Sequence, residues 1–293
     1  MSHRPQDALA PAVQHQAEQQ RFIIEPSPGL LCLLDYQRQG DRLVIQHTGV
    51  PDALRGQGLA GVLVLAAMRW LAPQGLQLVP ACSYVQTWLA RQRRWQRLLA
   101  PAPAQALLNH WFGALNSGED GQVLARWFRK DPAFDEDLRQ RFGGLVAQAQ
   151  AGGLRNWDAL PWGALARLLL LDQLARNLDR GQAQAFAGDA LALQAAQALL
   201  ARAELAQDLT PIERWFVLMP LEHAEDLALQ QRCVAEFEAL VGLDERLAGA
   251  LDYAHRHLAV IQQFGRFPHR NEALGRVSSA AELAYLSQPG AGF

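Results

Sequence analysis

Lysine is almost absent from this chain: of 27 Lys and Arg residues, only Lys130 is a lysine. That leaves little room for Schiff-base chemistry, which needs a lysine amine. Cysteine is sparse as well, with thiols at Cys32, Cys82 and Cys233. Three scattered thiols make no disulfide framework and no paired metal-ligand spacing, so no metal is expected. Long apolar runs are missing too. Leu168 to Leu171 is soon interrupted by charge, whereas a membrane helix needs about 18 clean apolar residues. Met1 to about Gln20 is polar and lacks the apolar core of a signal peptide. These absences predict a cytoplasmic protein with no membrane partner.

What is present suits a soluble globular chain: 293 residues, half of them hydrophobic and 19% charged, enough for one large domain or two ordinary ones. The net charge of −2 argues against a nucleic-acid partner. The charge is uneven, however. Residues 1–100 hold ten Lys and Arg against six Asp and Glu, a net of +4, and the remainder holds 17 against 23, a net of −6. A mildly basic first part suits an anionic ligand.

Residues 1–19 are expected to be flexible. The stretch 20–99 then alternates in type. Phe22 to Ile24, Leu30 to Tyr36 and Leu43 to Thr48 are β-prone runs, the last two joined by a turn at Gln39-Gly40-Asp41. Leu59 to Leu71 is apolar nearly all round, as a buried helix is; Leu76 to Val79 reads as a strand and Ser83 to Leu99 as a helix. This order predicts a small α/β domain with two helices. Ala100-Pro101-Ala102-Pro103-Ala104 reads as a stiff linker spanning 100–107. From 108 to 293 the pattern is all-α: Asp131-Pro132 is an N-cap followed by proline, Thr210 to Glu213 and Ser279 to Glu282 have capping-box spacing, and segments near 161–180, 182–203, 223–241 and 243–264 carry helical periodicity.

His47-Thr48-Gly49-Val50-Pro51 ends a strand, and Arg55-Gly56-Gln57-Gly58-Leu59-Ala60 opens a helix. Glycines there let backbone N–H groups approach an anion, and the helix N-terminus adds unpaired donors and a positive dipole end. Arg55 adds a charge-assisted contact. A plain strand-to-helix turn is the alternative.

These residues resemble the Gcn5-related N-acetyltransferase family, whose signature Gln/Arg-x-x-Gly-x-Gly/Ala is matched from Arg55 to Ala60. The closer similarity is to a short subgroup with His-Thr-x-Val-Pro, Leu-Arg-Gly-x-Gly-Leu-Ala and Pro-x-Cys-Ser-Tyr, matched in order from His47 to Tyr84. The resemblance covers about residues 20–98. It implies acetyl-CoA as co-substrate, with the Val50 backbone beside the thioester, the turn from Arg55 through Gly56, Gln57, Gly58 and Leu59 to Ala60 on the phosphates, and an unidentified small-molecule or protein acceptor. Cys82 stands at a helix start, where a thiol ionises more readily and can take an acetyl group; it reads equally as a small core residue. His47 is either a base or part of a polar network. The sequence departs from the subgroup at Gly49, where an acidic residue is common, and at Gln92 to Trp95, which replace a His-Pro-Glu-Tyr-like stretch. Arg91, Arg93, Arg94 and Arg97 with Trp88 and Trp95 read as a solvated helix face with tryptophans turned inward, or less readily as a nucleic-acid patch.

The later helices place polar groups where periodicity calls for apolar ones. Asp172, Arg176 and Arg180 share a helical face, as do Gln173 and Asn177. His223, Glu225 and Asp226 open another helix, His257 lies on an apolar one, and Phe264 to Asn271 is a loop carrying Arg266, His269, Arg270 and Asn271. These runs, with Trp111-Phe112, resemble a bacterial family of unknown function, numbered nine-two-four, with a tetratricopeptide-like helical fold; the similarity spans about 108–293. That family implies no activity. By residue type, the groups form an anion pocket of Arg176, Arg266, Arg270 and His269 oriented by Asp172 and Asp226, a metal site, or a buried network holding helices in register. The combined expectation is an acetyl-CoA-binding acetyltransferase-like domain joined to a helical domain for a ligand or the acceptor. The alternatives are a non-catalytic CoA sensor and a helical hydrolase acting on a small anion.

Overall fold

The computed structural model describes residues 12–292. They divide into two compact units: one reaches Asn109 and includes Ala114–Ser117, and the other comprises His110–Gly113 and Gly118 onward.

The first unit is a five-stranded sheet with helices, ordered β1 (Gln14–Gln16), β2 (Arg21–Ser27), β3 (Leu30–Gln39), β4 (Arg42–Gly49), α1 (Leu59–Leu71), β5 (Gln77–Pro80) and α2 (Ser83–Arg91). The strands lie in chain order, antiparallel except for the β4–β5 pair. Only that pair needs a crossover, and α1 supplies it. The core forms because the strands bury alternate residues, Cys32, Leu34 and Tyr36 on β3 and Leu43 and Ile45 on β4, against Leu63, Val64, Ala67 and Met68 of α1. Gly40 turns the β3–β4 hairpin at φ +63°.

Three expectations change here. The flexible segment anticipated over 1–19 lies outside the described residues as far as 11, but Gln14–Gln16 is the edge strand β1. Its polar residues carry no strand pattern; His15 holds it by stacking on Phe22 at 4.2 Å and bonding the Tyr36 hydroxyl at 2.8 Å. The last helix is broken at Gln92 (φ −118°, ψ 63°), and Arg93–Leu99 continues as a tighter 3₁₀ coil. Arg97 is thereby buried, bonding the Asn109 Oδ1 at 3.0 Å, instead of lying on a solvated face. Finally, the Ala/Pro stretch is not a linker throughout, because α3 (Ala102–Phe112) begins in it. Pro103 falls in the first turn, where its missing N–H costs no bond.

The second unit holds α4 (Pro132–Gln150), α5 (Pro161–Leu169), α6 (Ala175–Leu178), α7 (Asp189–Leu200), α8 (Leu205–Asp208), α9 (Pro211–Glu222), α10 (Leu227–Val241), α11 (Ala248–Phe264) and α12 (Ala280–Leu286), with no strand among its described residues. The expected caps are in place: Asp131 accepts from Ala133 and Phe134, and Thr210–Glu213 and Ser279–Glu282 form full capping boxes. Between α5 and α6 the coil widens into a π turn, Leu170–Leu174. A turn of this kind inserts one residue into the helical register and rotates the residues beyond it. Gly188 packs so closely on the Leu171 carbonyl that a side chain would collide with backbone. No helix of the described residues is long and apolar enough to cross a membrane.

Candidate functional site

In the first unit, the loop between β4 and α1 is shaped by two glycines in the left-handed region, Gly56 at φ +79° and Gly58 at φ +77°. L-residues avoid that region, so glycine is required by conformation; no atom crowds either position. Gly58 caps α1 without a side-chain hydrogen bond to the first turn. Residues 55–58 are exposed, Val50 and Ala60 are half-buried, and Leu59 anchors the turn in the core. Arg55 pairs with Asp52 at 2.7 Å on the surface. The arrangement is a solvent-facing row of backbone donors at a helix start, the geometry that receives an anion.

The strands beside this turn part company. β4 pairs with β5 only from Arg42 to Ile45, and β4 continues unpaired on that side to Gly49. A bulge at Gln46 shifts the β3–β4 register, with Asp35 opposite His47 and Tyr36 opposite Ile45. Past Pro80 the chain turns into α2, with Cys82 as its N-cap and the Cys82 N–H donating to the Ile45 carbonyl at 3.0 Å. The Cys82 Sγ lies 3.4 Å from the Thr48 Oγ1. Burial pushes this thiol up, but hydrogen bonds from Thr48 and from the backbone of Val85 and Tyr84 outweigh it and leave it more acidic than an ordinary cysteine. Cys32 and Cys233 are fully buried and shifted the other way. His47 is exposed, with its Nε2 close over Gly49. Thr48 escaped the sequence reading, because a lone threonine in a strand carries no signal until the fold brings Cys82 to it.

The second unit contains a cavity of about 620 Å³. Gln173, Arg176, Asn177, Arg180, His223, His257, His269 and Arg270 line it, together with Glu222, Phe186, Trp127, Phe128, Trp215 and Tyr253. Beneath the lining, Asp172 is fully buried in the π turn. Its Oδ1 lies 2.6 Å from the His223 Nδ1 and 3.1 Å from the Arg176 NH1, and Gln173 donates to its other oxygen. Burial opposes ionisation of Asp172, but His223 and Arg176 outweigh it and hold the carboxyl far below the usual range. An ionised carboxylate only accepts, so the His223 Nδ1 carries the proton. Burial, then Arg176, lowers the pKa of His223. His257 makes a second pair, its Nδ1 2.9 Å from both the Glu222 Oε1 and the Tyr253 carbonyl. Asp189, at the start of α7, takes Arg176 at 2.9 Å and Arg270 at 3.3 Å. Arg270 sits between the Phe186 and Phe267 rings at 5.0 and 4.5 Å, and burial and the nearby Arg176 pull it down to about 10. His269 is pushed down to about 4 by burial and by Arg270.

Not every expected residue reaches this cavity. Glu225 accepts the Phe267 N–H at 2.8 Å and pairs with Arg276 at 2.7 Å. Asp226 is exposed and caps α10 through the Leu229 N–H. Arg266 clamps Glu282 at 2.6 Å, and Asn271 bonds the Ser278 hydroxyl at 3.0 Å. Glu225, Arg266 and Asn271 hold the Phe264–Asn271 loop and α12, and Asp226 serves α10, instead of lining the pocket; of the residues expected to form an anion pocket, Arg176, Arg270 and His269 line the cavity. Asn177 and Arg180 touch the cavity but are tied to Asp135 at 2.7 and 2.8 Å. Glu222 and Asp189 were missed: Asp189 reads as an ordinary acid in a first helical turn, and nothing local to Glu222 shows that His257 lies against it.

Each unit has known relatives. The profile of a bacterial protein of unknown function, DUF924, matches residues 107–290. The chain belongs to this family. A DUF924-like neighbour of solved structure, a protein of unknown function from Agrobacterium tumefaciens, is 34% identical with a TM-score of 0.56, covering 64% of this chain and 98% of that one. Ahead of the DUF924 region, the profile of the GCN5-related N-acetyl-transferase family matches residues 21–98, and this part belongs to that family. Protein NATD1 of Xenopus tropicalis is 32% identical over 98 residues, 30% of this chain and 87% of that protein. Protein NATD1 of Bos taurus is 31% identical over 90 residues, 29% of this chain and 77% of that protein.

Proposed function

We propose that the protein binds acetyl-CoA through its first unit and transfers the acetyl group to an amine. The observation carrying this reading is the uncapped N-terminus of α1 behind Gly56 and Gly58, both at positive φ. Backbone donors of residues 56–60 hold the pyrophosphate, Arg55 leaves Asp52 to add a charged contact, and the β4 edge at Val50, beyond the last β5 pairing, receives the thioester end. Membership of the GCN5-related N-acetyl-transferase family supports the same cofactor. Cys82 accepts the acetyl group as its thiolate attacks the thioester carbonyl and CoA leaves; the acceptor amine then takes it, and His47 assists by receiving the amine proton. The helical unit contributes a separate binding cavity, with Arg176 and Arg270 on its wall.

The test is calorimetry of the full chain with acetyl-CoA, followed by intact-mass analysis of wild type and Cys82→Ala. Millimolar ligand without heat of binding removes the reading. An acetyl adduct in the wild type that is missing in Cys82→Ala supports the covalent route. The glycine at position 49, where an acidic residue is common in the similar subgroup, favours a second reading in which CoA is bound as a signal. Tight binding with no acetylated product over a broad amine panel selects it.

A further inference from the structure

Two carboxylate–imidazole pairs border one cavity of the helical unit: His223 on Asp172 at 2.6 Å and His257 on Glu222 at 2.9 Å, with ring centroids 6.2 Å apart. In the first pair the carboxylate fixes the tautomer, with the Nδ1 protonated and the Nε2 left as the basic nitrogen. Asp172 sits in the π turn and meets His223, the residue that closes α9. Beside it, Arg270 is only 5% exposed, its guanidinium carbon lies over the Phe186 and Phe267 rings at 5.0 and 4.5 Å, and its Nε has no hydrogen-bond partner among the described residues. A buried donor left without a partner is costly to a fold. Arg270 also lines the cavity, where its charge can meet a negative charge on a ligand.

The lining also decides what the base can act on. Among the described residues it contains no serine, threonine, cysteine or lysine, and its carboxylate, Glu222, is committed to His257. With no such nucleophile beside His223, the molecule it can activate is water. Trp127, Phe128, Trp215 and Tyr253 give the remaining wall an aromatic surface, with Phe128 stacked on Trp215 at 5.0 Å. A cavity of about 620 Å³ takes a ligand of modest size.

We propose that this cavity is a hydrolytic active site in which His223, oriented by Asp172, is the general base toward water, and its substrates are carboxylic esters with an apolar aryl or medium-chain body. The inference goes beyond the acetyl-CoA reading and does not depend on it. Water gives a proton to the His223 Nε2 as its oxygen bonds to the ester carbonyl carbon. The carbonyl oxygen becomes negative and is met by Arg270, backed by Arg176. The tetrahedral intermediate then collapses; the carbon–oxygen bond to the alcohol breaks, and His223 returns the proton to the departing oxygen. The products are an alcohol and a carboxylic acid, which loses its proton to solvent. Asp172 is a positioning residue throughout and stays ionised. The charged and titratable groups that face His223 are Asp172 and Arg176 from the π turn and α6, His257 from α11, and His269 and Arg270 from the loop after it. Both arginines favour the neutral imidazole that a base requires.

The experiment uses the full chain carrying Cys82→Ala, so that the reactive thiol of the first unit contributes nothing. Para-nitrophenyl acetate, butyrate, octanoate and benzoate are the probes. The expected result is saturable release of nitrophenol, with His223→Gln lowering kcat at least about 100-fold. Asp172→Asn should lower kcat with little change in KM, and kcat/KM should fall with acid through an ionisation below 6.5, the ordinary histidine value from which His223 is lowered. Release no faster than in buffer for all four probes overturns the proposal. So does a folded His223→Gln that retains the parent rate. Should His223→Gln fail to fold, Asp172→Asn decides: a folded variant with lowered kcat and unchanged KM upholds the dyad, and a folded variant with the parent kcat overturns it. Loss of ester turnover with acetyl-CoA binding intact, or the reverse, separates this site from the first unit.

Discussion

The His223 Nδ1 lies 2.6 Å from the Asp172 Oδ1, although 51 residues separate the two in the chain. Asp172 sits in a π turn and His223 at the C-terminal end of α9, so their bond ties two helices at the floor of a cavity. An ionised carboxylate there is tolerable only because His223, Arg176 and Gln173 all meet it.

Removing that carboxylate should therefore be expensive. Asp172→Ala leaves Arg176 with one fewer counter-charge in a buried place, which costs about 3–5 kcal/mol. Chemical denaturation of the full chain measures it. A change under about 1 kcal/mol would mean that the pair contributes little to holding these helices together.

His269 makes stability depend on mild acid. Its folded pKa is lowered to about 4, so between about 6.5 and 4 the unfolded chain binds a proton that the folded chain does not. Stability is complete above 6.5 and declines as pH falls, by about 1.4 kcal/mol per unit well inside that window. Denaturation midpoints at pH 7, 6, 5 and 4.5 read the slope. His269→Gln should make it shallower, since His223 and His110 are also lowered and keep part of it, and an equal slope in the variant would assign the effect to other groups.

Gly188→Ala sets a methyl group against the Leu171 carbonyl at the edge of the π turn. Backbone must shift, with a cost of about 1–3 kcal/mol. Because Asp189 follows directly and holds Arg176 and Arg270, ligand binding in the cavity should weaken as well. Thermal unfolding shows the first effect; a variant as stable as the parent counts against the contact.

Thr48 tunes the thiol of Cys82. Its hydroxyl lowers the thiol pKa, so Thr48→Val should raise that pKa and slow alkylation by iodoacetamide at neutral pH. Cys32 and Cys233 are buried and should stay silent, which makes the rate readable by intact mass. Equal rates in the two proteins would separate Thr48 from the thiol.

Gly58→Ala tests the turn. At φ +77° with open space around it, the added methyl group meets no neighbour, and the cost is conformational, about 1–2 kcal/mol. Acetyl-CoA affinity should fall at least tenfold as the backbone donors turn away. Unchanged affinity would show that the phosphates lie elsewhere.

The residues by themselves determined most of the elements and several of their ends. Periodicity placed α1 at Leu59–Leu71, capping chemistry placed the starts of α4, α9 and α12, and the glycines at 56 and 58 marked the turn, because each of these depends on neighbours a few positions away. Strand β1 was invisible, since a polar edge strand is held by its partner's backbone and by His15 against Phe22, not by its own pattern. The cavity was half visible. The polar residues of the Asp172–Asn177 and Phe264–Asn271 stretches stood out as unusual, yet nothing local separates Arg270, which lines the pocket, from Arg266, which clamps α12. A turn of backbone between them sends the two side chains to different neighbours. Only the tertiary structure decides which arginine meets a ligand and which meets a glutamate, because that choice rests on contacts between segments far apart in the chain.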